Sequence, residues 1–86
     1  MEIEYSSHFN RAYAKLEVAL QQKAERAEQL FRENPFHPRL NTHKLRGKLK
    51  MFWSFSIDYH NRIAFNFVKG KHKVVFLDVG DHDIYK

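Results

Sequence analysis

In "MFWSFSIDYHNRIAFNFVKGKHKVVFLDV", residues 51–79, apolar side chains return at every second position, the spacing of half-buried strands and not of helices. Phe52, Ser54 and Ser56 alternate with Trp53, Phe55 and Ile57. Arg62, Ala64, Asn66 and Val68 alternate with Ile63, Phe65 and Phe67, and Val74, Phe76 and Asp78 fall opposite Val75, Leu77 and Val79. The runs are separated by "DYHN" and "KGKH", both rich in turn formers, so three consecutive strands should form an antiparallel meander.

Moving outward, "THKLRG" predicts one more short strand, ended by Gly47. Before it the period changes. Phe9, Tyr13, Leu16, Leu20, Ala24, Ala27 and Phe31 recur at threes and fours, one apolar face of a helix, with Ser6 and Ser7 offering a hydroxyl cap. A single helix carrying that stripe would run about seven turns, more than so small a domain can cover. A break near Val18 to Gln21 is therefore expected, giving two antiparallel helices. The second should end at "ENPFHP", where Pro35 disfavours helix at Asn34. At the start, "MEIEYS" alternates Ile3 and Tyr5 with Glu2 and Glu4 and predicts a strand. The expected fold class is α+β: a two-helix hairpin packed on a curved, mostly antiparallel four- to five-stranded sheet, in the order β-α-α-β-β-β-β.

The 86 residues are expected to form a single domain spanning 1–86. A chain of this size buries only about 60% of its unfolded surface, so its core must be dense. Eight Phe, four Tyr and one Trp supply that density. With no Cys, a disulfide framework and a thiolate zinc site are both excluded, and a reducing compartment is the natural home. "MEIEYSSHF" lacks the basic and apolar regions of a signal peptide. No apolar run approaches the roughly 20 residues of a membrane helix. A cytoplasmic location without membrane association is expected.

Charge is unevenly placed. Fifteen Lys and Arg against ten Asp and Glu give a formal net charge of +5. Between Glu33 and Asp58 there is no acidic residue, while Arg39, Lys44, Arg46, Lys48 and Lys50 lie there beside His37 and His43. Such a segment reads as a phosphate-binding face or as the complement of an acidic protein. The helices' polar residues, Arg11, Lys15, Glu17, Lys23, Glu25 and Arg26, read as ordinary solvated surface. Trp53 and Phe55 could stack on bases, but their alternation with Ser places them toward the core. His72, Asp78, Asp81, His82 and Asp83 offer metal-ligand chemistry without a repeated ligand spacing, so no metal site is assigned.

The order of elements, with "ENPFHPRL", "HKLRGKLK", "WSFSIDYHNRIAF" and the terminal "VGDHDIY", resembles the RelE/ParE superfamily of toxins from type II toxin-antitoxin modules. The resemblance spans essentially the whole chain. Its most specific parts are Leu45 to Gly47, Arg62 to Phe65 and Gly80 to Tyr85. RelE-like and YafQ-like members cut messenger RNA in the ribosomal A site, whereas ParE-like members inhibit gyrase. The resemblance thus implies a ribosome-dependent endoribonuclease held inactive by an acidic antitoxin, needing no cofactor. The alternatives are a non-catalytic, ParE-like gyrase inhibitor and a decayed toxin that only binds its antitoxin.

Metal-independent RNA cleavage needs a base for the 2′-OH, cations around the phosphate and an acid for the leaving 5′-oxygen. His82 lies where the resembling toxins carry an Arg or a catalytic His, and Tyr85 where they carry an aromatic that stacks on or activates the nucleotide. Arg62 matches the family's strand Arg at the scissile phosphate. Its outward phase on an apolar strand suits that role, and the competing reading is an ion pair with Asp58 or Asp78. His43 matches a catalytic His of the YafQ-like members, and Arg46 a family Arg whose face Lys48 and Lys50 extend. Where RelE-like toxins place two catalytic Lys, this chain has Ser54 and Ser56, neither able to act as a cation. His60, in the following turn, joins a His-based set. The implied catalytic residues are His82, Arg62, Tyr85, His43 and His60. Arg46, Lys44, Lys48, Lys50 and Arg39 are the expected RNA contacts.

Overall fold

The structure, a computed structural model, describes residues 1–45 and 52–81. Its elements are β1 (Glu2–Tyr5), α1 (Ser7–Ala14), α2 (Val18–Glu33), a 3-10 turn (Pro38–Leu40), β2 (His43–Lys44), β3 (Trp53–Ser56), β4 (Asn61–Val68) and β5 (Lys73–Asp81). The order β-α-α-β-β-β-β is the expected one. The strands form a single sheet ordered β1-β5-β4-β3-β2, in which β1 runs parallel to β5 and every other neighbouring pair is antiparallel.

Ser6 starts α1, its Oγ accepting a hydrogen bond from the Phe9 N–H at 2.9 Å. The break between helices falls just before Val18, slightly earlier than the Val18 to Gln21 interval expected. Periodicity could not place it, because a polar contact, outside the apolar pattern, spans the turn. The Gln21 side-chain amide donates to the Tyr13 carbonyl at 3.0 Å, adding to the backbone bond that carbonyl accepts from the Leu16 N–H. The helices are antiparallel, as expected: Tyr13 reaches Gln21 and Glu25, while Tyr5, before α1, reaches Glu28 and Arg32 farther along α2.

The hairpin buries Phe9, Ala24, Ala27 and Phe31 against the sheet. Phe31 is the hub, its ring lying 4.7 Å from Phe55, 4.9 Å from Phe65 and 5.6 Å from Phe76. All four rings are completely buried. Among the described residues no helix is long and apolar enough to cross a membrane.

One feature of β5 departs from simple alternation. Ala64 pairs with Asp78 but Phe65 with Phe76, so Leu77 is an extra residue, a β-bulge. Val79 therefore shares the core with Val74 and Phe76, and not with Val75 and Leu77 as strict alternation implied. Asp78 becomes the cross-strand neighbour of Ala64. Two cross-strand rows result: His43, Ser54, Ala64 and Asp78 in one, Ser56, Arg62 and Gly80 in the other.

Candidate active site

Strand pairing brings distant residues of the outer face together. His43 is carried by the two-residue strand β2, whose register sets it beside Ser54. Arg62 stands one row further along β4, opposite Ser56. Its other neighbour is Gly80, which adds no side chain. An open depression of about 720 Å³ lies here, lined by Asn41, His43, Ser56, Asp58, Tyr59, His60 and Arg62. Three of the five expected catalytic residues, His43, His60 and Arg62, thus share one hollow. His82 and Tyr85 lie outside the described residues, as do Arg46, Lys48 and Lys50.

The orientation of His43 has a definite chemical consequence. Its Nδ1 lies 2.8 Å from the carbonyl oxygen of Asn41. A carbonyl only accepts, so in the neutral ring the proton sits on Nδ1 and the lone pair on Nε2. That is the tautomer of a base. Asn41 places its carbonyl there by adopting left-handed backbone angles, φ 48° and ψ 43°, at the end of the 3-10 turn. Asn tolerates this conformation better than most residues do.

The turn after β3 is held by Asp58. Its Oδ1 accepts from the His60 N–H at 2.9 Å, the Asn61 N–H at 2.8 Å and the Asn61 side-chain amide at 3.1 Å. Its Oδ2 lies 3.6 Å from the Lys23 ammonium of α2. Partial burial opposes ionisation of Asp58, but hydrogen bonds from Asn61 and His60, with the Lys23 charge, outweigh it and hold the carboxyl below its ordinary range.

Arg62 makes neither of the ion pairs that competed with a phosphate-binding role. Asp58 is engaged by Lys23, and Asp78 lies 3.1 Å from His8 Nε2. Among the described residues Arg62 enters no ion pair, so its fork is available for an anion. Ser54 stands in the His43 row as the alternation implied, yet it is fully buried and its hydroxyl lacks a hydrogen-bond partner among the described residues. It is closed off from the hollow that Ser56 lines. Lys44 is the cross-strand neighbour of Trp53 and lies on the opposite face from His43. Arg39 lines an adjoining depression and not this one.

Sequence reasoning overlooked Asn41, Asp58 and Tyr59. The "DYHN" turn carried a partial signal, since an Asp three residues before an Asn commonly locks such a turn. Nothing in the sequence marked the Asn41 carbonyl, whose role depends on a backbone conformation.

No protein-family model matches the chain, and no curated protein matches it. Solved structures do match. The chain resembles a YoeB/ParE toxin from Agrobacterium tumefaciens with a TM-score of 0.78 at 14% identity, over 95% of this chain and 99% of that one. It resembles YafQ from E. coli strain BL21(DE3) with a TM-score of 0.71 at 18% identity, over 98% and 96% of the two chains. A chain of the toxin-antitoxin complex RelBE2 from Mycobacterium tuberculosis gives 0.76 at 20% identity, over 94% and 96%. What is shared at these identities is the fold: an α+β, RelE-like architecture along essentially the full length of each chain.

Proposed function

We propose that this chain is the toxin of a toxin-antitoxin module and that it cuts messenger RNA on the ribosome by metal-independent acid–base chemistry. The observation that carries this reading is the shared hollow of His43, His60 and Arg62, built on a fold otherwise seen in YafQ, YoeB/ParE and RelBE2. His43 Nε2 takes the proton of the 2′-OH, and the freed oxygen attacks the adjacent phosphorus. Arg62 binds the two non-bridging oxygens as charge builds on them. The bond to the 5′-oxygen then breaks, and an imidazolium, His60 or His82, protonates the leaving oxygen. The products are a 2′,3′-cyclic phosphate and a 5′-hydroxyl. β5 ends at Asp81 across from Asn61, so this strand leads to the edge of the same hollow. Tyr85 is assigned the stacking role that the resemblance implies.

The partner of a +5 domain should be acidic. RelBE2 and the DinJ–YafQ complex of E. coli are toxin–antitoxin pairs on this fold, which supports an antitoxin here. A cytoplasmic site of action follows from a ribosomal substrate.

Induced expression tests the proposal directly. Growth should arrest, messages should acquire new internal 5′ ends, and co-expression of the acidic partner should prevent both. His43→Ala and Arg62→Ala should each reduce cleavage by about 10²–10⁴ while the protein stays folded, the usual effect of losing a positioned base or charge. Growth arrest with intact messages would contradict the proposal.

A further inference from the structure

A second depression, of about 660 Å³, adjoins the first and shares Ser56, Asp58 and Tyr59 with it. Its remaining walls are basic and apolar. Lys23 and Arg26 come from α2 and Arg39 from the 3-10 turn, over a floor that includes Leu40 and Ile57. Tyr59 stands on the ridge between the two hollows and is 88% exposed, unusual for a ring in so small a domain. The turn beneath it is not loose. Asp58 locks it through three hydrogen bonds and the contact with Lys23, and the Tyr59 ring meets His60 edge-on at 5.0 Å. The carboxylate in the groove is thus already compensated, whereas Arg26 and Arg39 enter no ion pair among the described residues.

We infer that this second depression holds the RNA strand beyond the scissile phosphate, with Tyr59 stacking on a flanking base and Arg26 and Arg39 contacting backbone phosphates. The inference rests on the proposed RNA-cleaving function. A fixed, exposed aromatic between two hollows that carry cationic side chains is the arrangement by which proteins track single strands: rings take bases of any sequence, and cations take the backbone. Lys23 and Arg26, which read as solvated surface in the sequence, become one wall of the groove.

The test uses full-length protein and 2′-O-methyl oligoribonucleotides, which cannot be cleaved by 2′-OH attack. A trinucleotide fills the first hollow alone, and a nonanucleotide extends past it on both sides. The wild type should bind the longer probe more tightly. Tyr59→Ala should weaken nonanucleotide binding by roughly fivefold to a hundredfold, the loss expected for one stacked base, and Tyr59→Phe should restore it. Arg26→Ala should leave trinucleotide affinity unchanged while lowering the salt slope for the nonanucleotide by about 0.7, the value for one single-strand phosphate contact. Wild-type preference for the longer probe with no effect of Arg26→Ala or Tyr59→Ala would overturn the inference and leave the cleavage site standing. Weakened binding of the acidic partner by these variants, with unchanged RNA affinity, would assign the surface to that partner and also overturn it. Failure of the wild type to bind either probe would remove both this inference and the RNA reading beneath it.

Discussion

Asp58 shows how one side chain can hold a site without taking part in its chemistry. Its carboxylate gathers three hydrogen bonds within the turn and a lysine from α2, fixing His60 and Tyr59 in place. Because its folded pKa lies below the unfolded value, ionised Asp58 stabilises the fold above the ordinary carboxylate range, and the stabilisation is lost as pH falls through the folded pKa. Asp58→Asn should therefore melt below the wild type at pH 7, by on the order of 1 kcal/mol. The gap should close on acidification below about pH 3.9. A gap that persists in acid would show that shape, and not charge, holds the turn. Ser54 makes the opposite case. Its buried hydroxyl has no partner among the described residues, so Ser54→Ala should be neutral or stabilising by up to about 1 kcal/mol in a denaturant melt. A clear loss of stability would point to a hydrogen bond through water.

Among the elements, α2 reaches the core through Phe31, whose ring touches strands β3, β4 and β5. Phe31→Ala should cost about 3–5 kcal/mol. Against a total of roughly 5–15 kcal/mol for a domain, that places the variant close to unfolding. Urea denaturation measures it, and a loss under about 1 kcal/mol would mean the four-ring cluster is not the centre of stability. The strands were largely legible because alternation is a local property, and Trp53 to Ser56 and Asn61 to Val68 pair as their patterns imply. The bulge at Leu77 was not legible. A one-residue insertion leaves no mark in a run as uniformly apolar as "KVVFL", and only the partner strand reveals that Val79 has changed sides. The helix break was misplaced for a similar reason, since the Gln21 to Tyr13 contact that accompanies it is polar and lies outside the apolar period.

For the whole molecule, a positive net charge goes with the hollow on the outer face. The charge was legible from composition, and so was Arg62, because an outward Arg on an apolar strand is conspicuous in sequence. Its convergence with His43 and His60 was legible only through resemblance, since three elements and two registers must combine to bring them together. Lys44 was assigned to RNA on charge alone, and a one-residue step along β2 puts it on the other face. The net charge also makes a prediction about association. Binding of the acidic partner should weaken several-fold between low and physiological ionic strength, measured by titration calorimetry, because screening removes part of the attraction. Affinity independent of salt would mean that the interface is held by apolar contact alone.

If His43 and Arg62 act on a 2′-hydroxyl and its neighbouring phosphate, as proposed, a single atom of substrate decides whether the message is cut. Ribosomes carrying a message with all-ribose nucleotides in the A site are compared with ribosomes carrying the same message with one 2′-deoxynucleotide at the scissile position, and the ends are analysed chemically. Only the first message should be cleaved, leaving a 2′,3′-cyclic phosphate and a 5′-hydroxyl. Equal cleavage of both messages, or a 5′-phosphate on the product, would contradict it.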